Sequence, residues 1–132
     1  MTSKITYLGE LRTTCEHLQS GTTILTDAPT DNHGKGEAFS PTDLVATSLG
    51  SCMISIMAIK SKDLDVDLVD STVEITKIMQ AEPRKIAKII VSLHLPDTTE
   101  KNKVILERAA MTCPVFLSLH PDIEKDVTFH WK

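Results

Sequence analysis

The sequence predicts an α+β fold, and three features of its pattern support that prediction. Segments with the alternation typical of β-strands lie in both halves of the chain. Between them runs one long apolar segment with a complete helix-start signal, and two shorter helical segments precede a last strand. Strands and helices that are grouped in this way, instead of alternating one for one, are typical of α+β proteins. The expected order is β-β-β-α-β-β-α-α-β in a single domain over residues 1–132.

The N-terminal part is predicted to form three strands joined by tight turns. Strands 3–8 and 11–18 flank a turn at Gly9-Glu10, and a second turn leads into strand 22–27. These segments are rich in Thr and Ile, which suit a half-buried sheet. Residues 28–39 contain proline and glycine without periodicity, so we expect an irregular loop, and such loops in small domains commonly serve function.

The central helix begins with a strong signal. Ser40 is the expected N-cap, Pro41 suits the first helical position, and the Asp43 carboxylate is placed to return to the cap amide. The helix is predicted to continue to about Lys60, and its residues are apolar almost all round. Such a helix belongs in a protein interior. Because a domain of 132 residues offers little cover for it, the pattern favours a homodimer in which a second copy helps to bury the helix.

Two further strands are predicted over 66–79 and 85–95, with a turn at Glu82-Pro83 between them. In both segments apolar residues alternate with polar ones. One face of each strand is therefore expected to lie against the core.

The C-terminal part is predicted to hold two helices and a strand. Asp97 and Glu100 form a second capping-box pattern. Pro114 disfavours helical geometry at Cys113 and so ends that helix and opens a short one, which is expected to stop near His120-Pro121. The last strand is expected over 126–131.

Composition excludes several classes of function. The net charge is −4 and aromatic residues make up 4% of the chain, so a phosphate-binding or base-stacking surface has little support and no nucleic-acid partner is expected. We find no signal-peptide pattern and no apolar run of the length that a membrane span needs, so a cytoplasmic protein without a membrane partner is expected. The five histidines are scattered and no CxxC or HExxH pattern occurs, so neither a metal nor a cofactor is predicted.

The cysteines are the strongest candidates for chemistry. Cys52 lies about three turns into the central helix, where it is either a small apolar filler or a nucleophile that needs a cation from elsewhere. Cys113 is the expected N-cap of the short helix, where backbone amides favour a thiolate, and the alternative is a cysteine that merely fits a helix junction. Cys15 is read as structural. Arg12 is the preferred cation, and its alternative is a solvated charge at a strand edge.

Three segments together resemble the OsmC/Ohr family: Ser40-Pro41-Thr42-Asp43-Leu44, Leu49-Gly50-Ser51-Cys52-Met53 and Cys113-Pro114-Val115. The resemblance implies an intertwined homodimer, with sheets around long central helices and two active sites at the subunit interface. It also implies reduction of organic hydroperoxides in a stress response. Cys52 then matches the peroxidatic cysteine, Cys113 the resolving cysteine and Arg12 the arginine that steadies the thiolate. A dithiol such as a lipoyl group is the implied reductant.

One position departs from the family pattern. The residue after the helix-opening proline is glutamate in the peroxidase branches and is Thr42 here, while Asp43 follows and Glu37 precedes it. Either acid is a candidate to support Arg12. The departure keeps two other functions open. One is a binding module with an apolar pocket at the subunit interface, and the other is a thiol redox sensor. The residues expected to line the pocket are Met53, Met57, Phe39 and Phe116.

Overall fold

Two three-stranded sheets and three α-helices make up the protein in the computed structural model, which describes residues 1–132. The elements are β1 (Ser3–Gly9), β2 (Arg12–His17), β3 (Thr23–Asp27), α1 (Pro41–Ser61), β4 (Thr72–Gln80), β5 (Lys85–Leu95), α2 (Glu100–Ala110), α3 (Pro114–Ser118) and β6 (Glu124–Trp131). The predicted order β-β-β-α-β-β-α-α-β is confirmed. The chain divides into two compact units, Met1–Val45 and Ala46–Lys132. That all 132 residues act as one domain stays a prediction.

The first unit is an antiparallel sheet in the order β1-β2-β3. The turn between β1 and β2 places Glu10 and Leu11 at positive φ, which is the conformation of the tight hairpin turns that match strand twist. Few side chains of this unit are buried: they are Thr26, Asp27 and Ser40. The loop after β3 was predicted to be irregular, but it contains a short 3-10 helix, Thr30–Asn32.

The start of α1 is confirmed at the level of single hydrogen bonds. The Ser40 hydroxyl accepts from the Asp43 amide at 3.0 Å, and the Asp43 carboxylate accepts from the Ser40 amide, also at 3.0 Å. This reciprocal pair is a capping box, and it satisfies two amides that the helix itself leaves unpaired. The Asp43 carboxylate therefore has a structural role at the helix terminus.

The sequence analysis expected no apolar segment as long as a membrane span, and α1 differs from that expectation. The segment Pro41–Leu64 is long and apolar enough to cross a membrane by those two measures. The core helix of a soluble protein meets the same test. In the second unit, Ala46, Leu49, Met53 and Met57 of this helix are buried in the hydrophobic core. Ile59 of this helix keeps 65% of its surface exposed in the single chain, so the expectation that a second copy helps to cover the helix stays a prediction.

The second unit packs α1 and α2 with a mixed sheet in the order β4-β5-β6. β5 is antiparallel to β4 and parallel to β6. The predicted alternation in β5 is confirmed, because Ile89, Val91, Leu93 and Leu95 are buried in turn. These side chains form one cluster with the buried face of α1 and with Leu106 and Ala110 of α2.

Two predicted boundaries in this unit are wrong, each for a local reason. Residues 66–71 were expected in β4 but form a turn, because the Asp67 carboxylate accepts from the Val69 amide and Asp70 adopts positive φ. The expected cap at Asp97 is replaced by Thr99, whose hydroxyl accepts from the Asn102 amide at 3.2 Å. Asp97 instead pairs with Lys103.

Gly50 marks a close approach of α1 to β4. A Cβ atom built on Gly50 would lie 2.8 Å from Ile75 Cδ1 and 3.0 Å from Val73 Cγ1. We expect Gly50→Val to lower the free energy of unfolding by about 1–3 kcal/mol through overpacking. Gly50→Ala is the control and is expected to be near neutral, because better helix propensity offsets a contact that Ile75 relieves by rotating. Urea unfolding measures both, and equal stability of Gly50→Val and wild type would contradict the close approach.

Candidate active site

The two cysteines singled out by the sequence meet within the second unit. The side chains of Cys52 and Cys113 lie close enough for Cys52 to raise the pKa of the Cys113 thiol, and both cysteines are free. Cys52 comes from the middle of α1, and Cys113 comes from the junction between α2 and α3. Two residues 61 positions apart (113 − 52) are thus neighbours, although nothing in their local patterns requires it.

Cys113 is held by the start of α3. It is the N-cap of that helix, as predicted, and its sulfur accepts a hydrogen bond from the Phe116 amide at 3.4 Å. Pro114 occupies the first position of the helix, where its missing N–H costs nothing. The Val115 amide also acts on the sulfur. The backbone therefore fixes the position of the Cys113 thiol.

The expectation that this setting favours a Cys113 thiolate is wrong. Burial raises the pKa of the Cys113 thiol above its ordinary value, and the neighbouring Cys52 raises it further. The amides of Phe116 and Val115 lower this pKa, but the effect of burial is larger. The physical reason is desolvation: the Cys113 side chain has no exposed surface, and removing a thiolate from water costs more than two long hydrogen bonds return.

The two cysteines differ in accessibility. Cys113 is buried and keeps its proton at neutral pH because its pKa is raised. Cys52 is only partly buried, so of the two sulfurs it is the one that a dissolved molecule can reach.

Arg12 lies in the first unit at the centre of a group of acids. Its Nε and Nη2 atoms donate to the two carboxylate oxygens of Asp27 at 2.7 and 2.8 Å. Nη2 also donates to Glu37 at 3.2 Å. The bidentate pair with Asp27 fixes the plane of the guanidinium group. The alternative reading of Arg12 as a solvated strand-edge charge is therefore wrong, since the side chain is only 28% exposed.

Asp27 is a residue that the sequence analysis missed. Its side chain is fully buried at the end of β3, and it also accepts from the Glu37 amide at 3.1 Å. The Arg12 guanidinium holds the pKa of Asp27 below its usual range, and burial acts against this shift without cancelling it. The pairing of β2 with β3 is the signal that could have identified Asp27, because it places Asp27 directly opposite Arg12.

The two candidate acids have different observed partners. Glu37 contacts Arg12 but is 66% exposed, so the contact is weak in water. Asp43 forms the capping box with Ser40. The main ion-pair partner of Arg12 is therefore Asp27. This residue is not part of the segments that resemble the OsmC/Ohr family.

The pocket expected for a binding module is not assembled as predicted. Met53 and Met57 are fully buried in the core of the second unit and so do not line an open pocket. Phe39 is 53% exposed and lines a shallow cavity of about 640 Å³ in the first unit, together with Ile24 and Leu25. Nowhere in the chain do three or more His, Cys, Asp or Glu side chains cluster so as to hold a metal ion.

Comparison with known proteins identifies a family and several solved structures to which this chain is similar. The profile of a family described as OsmC-like protein matches residues 34–128. A Psychrobacter arcticus structure, provisionally described as an osmotic stress induced and detoxification response protein, is 50% identical and superposes with a TM-score of 0.95 over 98% of this chain and 96% of that chain. No match was found among the curated proteins.

Two more distant structures share the fold alone. The Legionella pneumophila organic hydroperoxide resistance protein OsmC is 19% identical, with a TM-score of 0.72 over 98% of this chain and 97% of that chain. An organic hydroperoxide resistance protein from Elizabethkingia anophelis is 16% identical, with a TM-score of 0.76 over 100% of this chain and 97% of that chain.

Proposed function

The chain belongs to the OsmC-like protein family, and on that premise we propose that it reduces organic hydroperoxides with a pair of cysteines. The observation that supports this proposal is the proximity of Cys52 to Cys113, which is close enough for Cys52 to raise the pKa of the Cys113 thiol. One sulfur is accessible and the other is buried, as a nucleophile and its resolving partner require. The distant structures described as hydroperoxide resistance proteins have the same fold and lend further support.

The proposed reaction begins at Cys52. Its thiolate attacks the outer oxygen of the hydroperoxide, the O–O bond breaks, and the alkoxide leaves as an alcohol after taking a proton. Cys52 is then a sulfenic acid. Cys113 next attacks the Cys52 sulfur, the S–O bond breaks, and the departing hydroxide leaves as water with the Cys113 proton. The raised pKa of Cys113 keeps that proton in place until this step.

A dithiol completes the proposed cycle. One thiolate of the reductant attacks the Cys52–Cys113 disulfide, and the second thiol closes the reductant's own disulfide, so that both protein thiols are restored. A lipoyl group has this chemistry. We further propose Arg12 as the cation that stabilises the thiolate. What supports this is its rigid attachment to Asp27 through two short hydrogen bonds.

We also propose that the protein is a homodimer. Large apolar side chains on the first sheet remain open to solvent, with Ile5 and Tyr7 each 64% exposed and Leu8 53% exposed. Ile59 on α1 is 65% exposed. So much open apolar surface marks an interaction site, and a second copy would cover it. Sedimentation equilibrium is expected to give twice the mass of 14.6 kDa, and a monomer at micromolar concentration would contradict the proposal.

The function is tested by turnover and by labelling. Purified protein with dihydrolipoamide is expected to consume cumene hydroperoxide over many cycles. At neutral pH, iodoacetamide should modify Cys52 much faster than Cys15, which has a similar partial burial. Oxidation of one equivalent without further cycles would instead favour a redox sensor. No thiol loss with peroxide, together with a copurified small molecule, would favour a binding module.

A further inference from the structure

A lysine lies on the inward face of β6, at the start of that strand. The side chains of β6 alternate between the two faces of the sheet. Val127 and Phe129 pack against the core, and Lys125 precedes them on the same face, while its neighbours Glu124 and Asp126 lie on the opposite, exposed face. Lysine is seldom placed on a face that packs against a core, so the contacts of its ammonium group are informative.

The Lys125 ammonium contacts α3 and the loop that follows it. Its Nζ atom lies over the Phe116 ring, 5.5 Å from the ring centroid, which is within the distance of a cation–π interaction. The same atom donates a hydrogen bond to the His120 carbonyl at 3.1 Å. His120 lies between the end of α3 and the start of β6. Lys125 therefore ties the helix and the loop to the sheet.

Phe116 connects these contacts to the buried cysteine. Its ring packs against the core and receives the Lys125 ammonium, and its amide donates to the Cys113 sulfur at 3.4 Å. The amide fixes the sulfur relative to α3, but a helix of five residues is too short to be stable on its own. The position of α3 therefore depends on tertiary contacts, and the Lys125 ammonium supplies two of them.

We propose that Lys125 is a positioning residue for Cys113. The ammonium holds α3 against β6, and in the reduced protein this keeps the Cys113 sulfur in its buried place. The consequence for catalysis rests on the proposed function. When the Cys113 thiol condenses with a Cys52 sulfenic acid, the S–S bond forms, the S–O bond breaks, and water leaves with the Cys113 proton. The rate of that step depends on how closely the Cys113 sulfur is held in the reactive position.

A labelling test measures how often Cys113 becomes accessible in the reduced full-length protein. Modification of Cys113 by iodoacetamide, followed by mass spectrometry of its peptide, reports local opening of α3. Lys125→Met keeps the alkyl stem and removes the ammonium. It should speed the modification about three- to ten-fold, the size of one cation–π contact and one hydrogen bond. Lys125→Arg should restore the slow rate, because a guanidinium group can make both contacts.

Lys88→Met is the matched control. It removes an ammonium group from the neighbouring strand β5, where Lys88 pairs with Glu124 and Asp126 on the opposite face of the sheet. Cys113 should be modified at the wild-type rate in this variant. Hydrogen exchange of the β5 amides reports opening of the whole core, and it should be equal in wild type and Lys125→Met. These two measurements separate a contact that holds α3 from a general loss of stability.

A single-turnover oxidation tests the connection with the reaction. One equivalent of cumene hydroperoxide is added to the reduced protein with excess dimedone, which competes with Cys113 for the Cys52 sulfenic acid. The ratio of the Cys52 adduct to the Cys52–Cys113 disulfide should rise about three- to ten-fold in Lys125→Met and return to the wild-type value in Lys125→Arg. The rate at which the hydroperoxide is consumed in this turnover should not change, because Lys125 acts only on Cys113.

Two outcomes of the labelling test overturn the positioning role. They are modification of Cys113 at the wild-type rate in Lys125→Met, and an equal increase in Lys88→Met. An unchanged ratio of adduct to disulfide, in a protein that consumes hydroperoxide, overturns the connection with the reaction. If wild type consumes no hydroperoxide, the proposed function fails, and the labelling test still decides the role of Lys125 because it uses no peroxide.

Discussion

Cys52→Ser is expected to reduce dithiol-dependent hydroperoxide consumption to the uncatalysed rate. A serine hydroxyl is not ionised near neutral pH and does not replace a thiolate as the nucleophile. Peroxide consumption is followed with cumene hydroperoxide and dihydrolipoamide. Cys15→Ser is the control and should retain wild-type turnover, because Cys15 lies on β2 without a thiol partner.

Cys113→Ser should separate the two halves of the cycle. The first oxidation is expected to proceed, because the accessible Cys52 sulfur is unchanged, but the sulfenic acid then has no thiol to condense with. Trapping with dimedone and mass spectrometry should detect one adduct on Cys52 in this variant and little in wild type. Serine also serves as an N-cap, so α3 keeps its start. Undiminished turnover of Cys52→Ser would exclude the proposed mechanism.

Asp27→Asn is expected to lower the free energy of unfolding of the first unit strongly. The change leaves the Arg12 guanidinium without its bidentate partner, and Asp27 is fully buried. Leaving one member of a buried pair uncompensated is strongly destabilising. Glu37→Gln is the matched control on the same arginine. It should cost no more than about 1 kcal/mol, because Glu37 is mostly solvated.

The pH dependence of this loss has a definite sign. Because the pKa of Asp27 is lowered in the folded state, its stabilisation is complete above the ordinary aspartate pKa, about 3.9, and is lost as the pH falls through the lowered value. The difference between wild type and Asp27→Asn should therefore be largest at pH 7 and should narrow below about pH 4. Urea unfolding followed by circular dichroism, together with hydrogen exchange of β1–β3, measures this difference in the free energy of unfolding at each pH. A difference independent of pH would contradict the ion pair.

The element order and two of the three helix starts could be predicted because they depend on neighbours in the chain. The Ser40–Asp43 capping box and the Cys113-Pro114 junction each need only three or four consecutive residues, and both are present as expected. The predicted strand over residues 66–79 is wrong in its first six residues, because side-chain hydrogen bonding at Asp67 competes locally with the strand pattern.

The electrostatics of the site could not be predicted in the same way. Local position indicated a thiolate at Cys113, but burial reversed the direction of the pKa shift. Burial is produced by residues far away in sequence, such as Leu106 and Val91, that share the core with Cys113. The acid on Arg12 was missed for a related reason, since Asp27 is recruited by strand pairing and not by the motif that contains Asp43.

By itself, the sequence determined the order of elements, the two helix caps and the two cysteines at which the chemistry should lie, because helix propensity, capping and strand alternation are properties of short segments. Only the tertiary structure decided that Cys52 and Cys113 are neighbours, that Cys113 keeps its proton, and that Asp27 forms a bidentate pair with Arg12. These features arise from packing and desolvation, which sum over residues that are distant in the chain.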